Sequence, residues 1–307
     1  MTIQKTAVLL LAHGSPESPA DVPEFIDRIT AGRPVPEAVI EEVRHRYARI
    51  GKSPLTEITL AQGRALERAL GLPVYVGMRN WKPFIADTMR QITADGVEHL
   101  LAICLAPQNS STSVGLYRKA LMAELRPEIT VRFVESWHDH PCLVRAFAEK
   151  LETSWQSASR DAGAELPVIF TAHSVPTRTI QAGDPYEEQA KETARLVGQS
   201  IPALRSEVEH FAFQSQGMSG GPWLGPTVES AMLDLKKQGH RGMVIAPIGF
   251  VCDHVEVLYD IDIGFRKFAE QQGLALWRTE SLNTSPTFIS ALAELATARL
   301  GAARTIG

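Results

Sequence analysis

The sequence predicts an α/β protein made of two similar Rossmann-like domains, each a parallel sheet flanked by helices, with a functional cleft between them. Short apolar runs alternate with helical patterns of about 12 to 20 residues, which is typical of parallel strands joined by crossover helices. A fixed order of strand ends also occurs twice along the chain. The 307 residues are 44% hydrophobic, enough apolar material for two cores.

The repeat begins with two buried strands that end in Ala-His followed closely by Pro. The first runs through residues 8–12 to His13, and the second through residues 168–172 to His173. Each strand comes before another apolar run, which in both halves leads to a loop that contains a tryptophan and a proline, and then to a helical stretch. The loop tryptophans are Trp81 and Trp223.

The repeat continues through a third and a fourth strand in each half. The third strands end in Ala-Pro at Pro107 and Pro247, and the fourth strands are predicted at 131–136 and 275–281. Because four matches occur in the same order, the sequence predicts two equivalent domains. We place an N-terminal domain at 1–130, a C-terminal domain at 131–285 and a final segment at 286–307, whose helix packs back on the domains.

The composition of the chain argues against nucleic acid as a partner, against a membrane span and against a cysteine-based cluster. The net charge is −4 and the pI is about 6.2, so no basic excess favours nucleic acid. No apolar run approaches the roughly 20 residues that span a bilayer, so we expect no integral membrane segment. The three cysteines are far apart and odd in number, which fits neither a disulfide framework nor an iron–sulfur cluster. A cytoplasmic monomer is expected.

The carboxyl ends of the strands hold the first candidates for chemistry, because ligands of open α/β sheets bind there. His173 at such an end can be neutral near pH 7, accept a proton or bind a metal. An equally open interpretation is a histidine that only bonds a backbone carbonyl and fixes a turn. His13 occupies the corresponding place in the first half.

An acidic segment, residues 253–260, follows the third strand of the second half. Read as a helix, residues 253–260 place Asp253, Glu256 and Asp260 on one face, where their charges need a cation, solvent or protonation to compensate. The spacing of Asp253 and Glu256 also matches a capping box at a helix start. Another polar run contains His138 and His140, and two histidines so spaced in a Pro-bounded loop are more typical of a solvated surface.

Taken together, these motifs resemble the ferrochelatases, which insert ferrous iron into a porphyrin in haem biosynthesis. The resemblance covers nearly the whole chain and is strongest with the soluble bacterial form that acts on coproporphyrin III. The matching segments are 12–16, 46–55, 171–176, 183–186, 214–215, 222–226, 247–250 and 253–260.

The resemblance implies a division of roles among these residues. His173 would contact the metal and accept porphyrin protons, Glu256 would face it, and Asp260 would continue an acidic path. His13 stands where many soluble bacterial relatives carry a metal-ligating tyrosine, so it would be a further metal ligand. Porphyrin and ferrous iron are the implied partners, with no resident cofactor and no iron–sulfur cluster. The implied substrate-binding residues are His13, Arg46, Tyr47, Ser53, Tyr117, Trp81, Trp223 and Ile248.

Three functional alternatives remain open from the sequence. Coproporphyrin III is favoured over protoporphyrin IX because segment 17–49 is rich in charge, which suits a polar lip and a substrate with four carboxylates. A chelatase for another tetrapyrrole, such as sirohydrochlorin, is a second possibility. A non-catalytic haem or porphyrin carrier, with His13 as axial ligand, is a third.

Overall fold

The computed structural model describes residues 5–205, 208–216 and 221–301. Within these ranges, apolar runs such as Val8 to Leu11 form strands that are covered on both faces, as expected for parallel sheets between helices. The strands are β1 (Thr6–Ala12), β2 (Val74–Met78), β3 (His99–Cys104), β4 (Thr130–Val134), β5 (Val168–His173), β6 (Glu209–Gln214), β7 (Gly242–Pro247) and β8 (Ala275–Arg278).

The helices connect the strands and cover both faces of the sheets. They are α1 (Val22–Thr30), α2 (Glu37–Ile50), α3 (Leu55–Leu70), α4 (Ile85–Ala94), α5 (Val114–Ala123), α6 (Pro141–Ala162), α7 (Thr177–Gln181), α8 (Tyr186–Gln199), α9 (Val228–Lys237), α10 (Val255–Leu258), α11 (Arg266–Gln271) and α12 (Pro286–Gly301). A π-helical segment, Asp260–Phe265, lies between α10 and α11.

The two sheets have the same topology, which confirms the repeat predicted from the sequence. One sheet has the order β2-β1-β3-β4 and the other β6-β5-β7-β8, and all neighbouring strands run parallel. β1 and β5 are therefore equivalent inner strands. Since the strands are parallel, His13 after β1 and His173 at the end of β5 lie at the carboxyl edge of their sheets.

The two tryptophan loops are also equivalent. In the first half the N–H of Met78 donates to the carbonyl of Pro83 at 2.7 Å, and in the second the N–H of Phe213 donates to that of Pro226 at 2.8 Å. Gly14 is required beside the first loop, because it has a φ of +83° and a Cβ there would lie 2.7 Å from the backbone nitrogen of Trp81.

The division of the chain differs from the predicted domain limits. β4 pairs with β3, so the first sheet continues past residue 130, the predicted end of the N-terminal domain, to Val134. The backbone N–H and C=O groups on the outer edge of β3 need a partner strand, and β4 supplies it. The final helix α12 contacts α3 of the first half as well as α6, and residues 302–307 of the predicted final segment lie outside the described residues.

No helix in the described part of the chain combines the length and the apolar character needed to cross a bilayer.

Candidate functional site

Glu256 lies where the carboxyl edges of the two sheets approach each other. Its carboxylate interacts electrostatically with His13 and Arg46 from the first half and with His173 and His254 from the second. The side chains of His173 and Glu256 are 36% and 32% exposed, so the group lies in a crevice that solvent can enter. The structure thus joins residues that lie more than 200 positions apart in the sequence, as for Arg46 and Asp260, which are separated by 214 positions.

His173 is oriented by its own backbone. Its Nδ1 donates to the carbonyl of Ser174, because a carbonyl can only accept. In the neutral ring the lone pair therefore resides on Nε2, which lies 3.5 Å from Oε2 of Glu256. The turn-fixing bond that the sequence left open is present, and it fixes the ring nitrogen that faces the carboxylate.

Glu256 carries a buried oxygen without a partner. Its Oε2 is inaccessible to solvent and accepts no hydrogen bond. Burial raises the pKa of Glu256, but the nearby imidazoles of His173, His254 and His13 and the guanidinium of Arg46 outweigh it and hold the pKa below its ordinary value. An ionised oxygen opposite an imidazole lone pair is a place for a proton or a cation.

The acidic segment 253–260 is not the continuous helix that the spacing predicted. The short helix α10 begins after His254, without a side-chain cap from Asp253, and the π-helical segment begins at Asp260. Asp253 instead accepts hydrogen bonds from Ser281 at 2.7 Å and Asn283 at 2.9 Å. Both the capping box and the shared face with Asp253 are wrong, because the chain before α10 is extended.

Asp260 is next to Glu256 and has two partners of its own. The hydroxyl of Ser215 donates to Oδ2 at 2.6 Å, and Arg46 Nη1 donates to Oδ1 at 3.3 Å. Burial raises the pKa of Asp260, and the charge of Glu256 acts in the same direction. The Arg46 side chain is 39% exposed, so the acidic pair reaches solvent at this end.

His13 differs from the metal ligand that the resemblance implied. Its Nδ1 donates to the carbonyl of Gly14 at 2.9 Å, and its Nε2 accepts from the amide of Asn80 at 3.0 Å. Burial, with the charge of Arg79, lowers the pKa of His13 to about 4. Both ring nitrogens are therefore engaged in the neutral ring, and a metal at Nε2 would have to displace the Asn80 amide.

The implied polar contacts of the substrate are mostly buried. Tyr47, Ser53 and Tyr117 are 3%, 2% and 5% exposed. The Tyr47 hydroxyl bonds Oγ of Ser15 at 3.0 Å, while Oγ of Ser53 has no partner. Burial raises the pKa of Tyr47 and of Tyr117, so both phenols are neutral. Arg46 and His13 are the implied polar contacts that reach solvent.

The three residues expected to form the apolar walls of the substrate site differ in their exposure to solvent. Trp81 and Ile248 are 3% and 1% exposed and lie beneath the crevice, in contrast to the wall contact that the resemblance implied. Trp81 is covered by the ring of Phe25, with centroids 6.3 Å apart, and by Gly14. Trp223 is half-buried and retains accessible surface.

Several residues at the site were not foreseen from the sequence. The side chain of Gln214 donates to the carbonyl of Glu256 at 2.9 Å and so ties α10 to the end of β6. Arg79 Nε is buried without a partner, and its guanidinium forms no ion pair among the described residues. Asn80 and Arg79 follow β2, at the same carboxyl edge as His13, and that position was the available signal.

Solved structures with this architecture define the class of protein. SirB from Bacillus subtilis with Fe³⁺ has a TM-score of 0.57 at 12% identity, and each chain covers 95% of the other. CbiX, described as the terminal enzyme for siroheme biosynthesis in denitrifying bacteria, has a TM-score of 0.57 at 14% identity, with coverage of 95% of this chain and 98% of that one. At such identities the likeness is one of fold, and the fold is that of the chelatases.

Sequence comparisons then identify the family. The ferrochelatase family model matches residues 5–300. The ferrochelatase of Acidobacterium capsulatum is 52% identical over 95% of this chain and 94% of that protein. The coproporphyrin III ferrochelatase of Bacillus subtilis is 33% identical over 98% of this chain and 100% of that protein. The chain belongs to the ferrochelatase family, the enzymes that insert iron into a porphyrin in haem synthesis.

Proposed function

We propose that this chain inserts ferrous iron into coproporphyrin III in the crevice between the two sheets, with His173 and Glu256 meeting both the metal and the porphyrin protons. The observation that carries the proposal is the 3.5 Å approach of His173 Nε2 to the buried, unpartnered Oε2 of Glu256. Two hydrogen-bond acceptors that face each other without a donor are unfavourable, because neither lone pair is satisfied. A proton or a cation between them removes this cost.

Proton removal is one part of the chemistry. A free-base porphyrin carries two inner N–H protons that leave before the metal can settle among the four nitrogens. Once the metal has left Nε2, His173 can accept these protons there one at a time, since its Nδ1 proton is bound to Ser174, and it passes the first to Glu256 before it takes the second. The ionised carboxylate of Glu256 stabilises the imidazolium that forms, because opposite charges at this range favour each other.

Metal binding is the other part. Two ligand atoms that are each about 2.1 Å from a divalent metal and 3.5 Å apart subtend about 110° at the ion, so the pair can hold one cation without rearrangement. Nitrogen and oxygen ligands hold ferrous iron less tightly than thiolates, which favours its release to the porphyrin. We assign His173 and Glu256 as the metal-binding pair and leave His13 out of the ligand set.

Asp260 gives the protons a route away from the reacting centre. It neighbours Glu256, has a raised pKa, and contacts the solvent-facing Arg46. A carboxyl group whose pKa is raised can accept a proton from Glu256 and pass it to water. The hydroxyl of Ser215 fixes the orientation of the Asp260 carboxyl group at the start of this route.

Two guanidinium groups are suited to the carboxylates of the substrate. Arg46 is partly exposed at the mouth of the crevice. Arg79, which interacts with His13 and Tyr117, has no acidic partner among the described residues. An arginine left without an acidic partner beside a binding crevice is a ready receptor for a carboxylate.

The surface beside the crevice favours the substrate with more carboxylates. Segment 17–49, which contains α1 and α2, exposes charged side chains of both signs among small and polar residues, and Ile29 is its one exposed large hydrophobic residue. Such a surface suits an aqueous substrate with four carboxylates better than an apolar one. Several relatives of 33–36% identity are named coproporphyrin III ferrochelatases, in agreement with this proposal.

Anaerobic insertion assays with Fe²⁺ and each porphyrin test the proposal. We expect many turnovers per enzyme and a kcat/KM for coproporphyrin III at least about tenfold above that for protoporphyrin IX, the worth of one further charge-assisted hydrogen bond. Arg46→Leu should reduce this preference, whereas Arg44→Leu, on the same helix and paired with Glu41 but without the contact to Asp260 that places Arg46 at the crevice, should not. Formation of no more than one equivalent would indicate a carrier, and an equal or reversed preference would refute the substrate assignment.

A further inference from the structure

A second group of metal-ligand side chains lies outside the crevice, at the contact between α6 and α12. His140, Cys142 and Glu294 each bring one ligand atom, and these atoms lie within 4.8 Å of one another. Sγ of Cys142 lies 3.2 Å from both carboxylate oxygens of Glu294, which is 152 residues further along the chain. The sequence favoured a solvated surface for His140 because it could not show that α12 returns here.

The group is held in place by packing that does not depend on it. Trp137, in the loop before α6, donates from Nε1 to the carbonyl of Cys104 at 2.9 Å. Its ring stacks on Phe288 of α12, with centroids 6.1 Å apart. The loop that carries His140 and the helix that carries Glu294 are therefore fixed against each other through buried aromatic contacts.

The local backbone also positions the first two ligands. His140 is the N-cap residue of α6, and its Nδ1 accepts a long hydrogen bond of 3.3 Å from the N–H of Cys142, which a metal ion at Nδ1 would displace. Cys142 then falls in the first turn, where burial and the neighbouring Glu294 raise the pKa of its thiol, so the sulfur keeps its proton until a cation displaces it. Cys142 is 6% exposed while Glu294 is exposed, so the thiol is shielded from bulk water and a cation has an entry from the solvent side.

The donor set defines the class of metal. Thiolate, imidazole and carboxylate are the usual ligands of Zn²⁺, and sites with three protein ligands keep a fourth position for water. The edges of a tetrahedral site with these ligands are about 3.3 to 3.7 Å long, by the bond lengths typical of zinc. The observed 3.2 Å between Sγ and the carboxylate oxygens is already close to that range.

We propose that His140, Cys142 and Glu294 form a binding site for a divalent metal of the zinc class, separate from the pair His173 and Glu256. The bound ion replaces the proton that the Cys142 thiol now shares with Glu294 and joins α12 to the first turn of α6. The metal would join α12 to α6 of the second half. Since α12 also packs on α3 of the first half, this link would strengthen the attachment of α12 between the two halves. The inference does not rest on which porphyrin the enzyme uses.

Cobalt binding tests the site without an activity assay. The full chain carrying His173→Ala, which removes the binding pair in the crevice, is titrated anaerobically with Co²⁺. We expect thiolate-to-cobalt charge-transfer absorption that saturates at one equivalent and disappears when Zn²⁺ is added. Cys252 is the thiol nearest the crevice, and it is buried with a raised pKa, so the loss of the signal in Cys142→Ser distinguishes binding at Cys142 from binding near the crevice.

Matched variants decide the ligand assignment. In the same background, Cys142→Ser should abolish the charge-transfer absorption, and Glu294→Gln, an exposed change that leaves the core intact, should weaken Co²⁺ binding at least tenfold. Glu149→Gln is the control, because Glu149 also joins α6 to α12, through Thr287, but is not part of the ligand group. A charge-transfer signal that never appears, that survives Cys142→Ser, or that is unaffected by Glu294→Gln would overturn the proposal.

Discussion

The two halves present the same histidine in two different settings. His13 and His173 follow the equivalent strands β1 and β5, and each donates from Nδ1 to the carbonyl of the next residue. The partners of Nε2 differ: Asn80 donates an amide hydrogen to His13, whereas the Glu256 carboxylate faces His173. One lone pair is consumed and the other remains available.

The equivalent strands place the two histidines in the same position. The chemical difference between them comes from the residue that faces Nε2, which is Asn80 after β2 in one half and Glu256 of α10 in the other. An amide that donates to Nε2 keeps the ring neutral and occupied, and burial lowers the pKa of His13 to about 4. A carboxylate opposite Nε2 instead stabilises a proton or a metal there. The two equivalent imidazoles therefore differ in the partner of Nε2, and under the proposed function only His173 takes part in the reaction.

Removing each histidine should give the largest contrast. His173→Ala is expected to reduce kcat for iron insertion by about 10³-fold, within the range for loss of a general base, and to leave porphyrin binding near the wild-type value. His13→Ala should keep kcat within about threefold, since no proton transfer or metal bond depends on its engaged ring. Anaerobic insertion kinetics and porphyrin fluorescence titration check both. Equal losses from the two variants would break the distinction.

Neutralising the carboxylate tests what separates the two settings. Glu256→Gln should lower kcat by about 10²-fold, because the imidazolium at residue 173 loses its ionic partner. Asp253→Asn is the matched control in the same segment, because Asp253 bonds Ser281 and Asn283 outside the crevice. Full activity of Glu256→Gln would contradict the assigned pair. Circular dichroism melting confirms that both variants fold.

Giving His13 a carboxylate should make the two settings alike. Asn80→Asp places an acid 3.0 Å from Nε2, and an opposite charge at that distance is expected to raise the pKa of His13 by about one to three units. In Asn80→Ala the pKa should stay below its ordinary value, since the charge of Arg79 persists. Titration of the ring protons by NMR measures both values. A pKa that is the same in the aspartate and alanine variants would show that burial alone governs this imidazole.

The smallest effect concerns stability against pH. The folded-state pKa of His13, about 4, lies below the ordinary 6.5, so on acidification the unfolded chain binds a proton that the native protein excludes. Stability is therefore lost as the pH falls from about 6.5 towards 4. His13→Asn should lose less free energy of unfolding across this window, with a slope difference below about one proton because the ring is partly exposed. Urea unfolding at several pH values measures the slopes, and parallel slopes would contradict the account.

Much of the fold was predictable because short sequence patterns mark where each strand ends and because these patterns recur in the same order in both halves. Strand ends with Ala-His or Ala-Pro and the two tryptophan loops recur in order, and the sheets reproduce that order. The pairing of His173 with Glu256 was also foreseen, through the resemblance. Sequence could not show which atom engages His13, because the Asn80 amide reaches it across 67 positions. The π-helical segment after α10 was equally hidden, since residue spacing alone reads as an ordinary helix.

The apolar clusters of the protein constrain how a porphyrin, which is wide and flat, can enter the crevice. Buried residues of β1 and β5, such as Leu10 and Phe170, belong to a single apolar cluster, so the halves cannot swing apart without breaking a shared interior. By contrast, α1 and α2 rest on a small cluster of their own around Val22, Ile26 and Tyr47. Moving α1 and α2 uncovers Trp81 beneath Phe25 but leaves the shared cluster intact, so loading and release are expected to proceed by displacement of these two helices rather than by hinge opening.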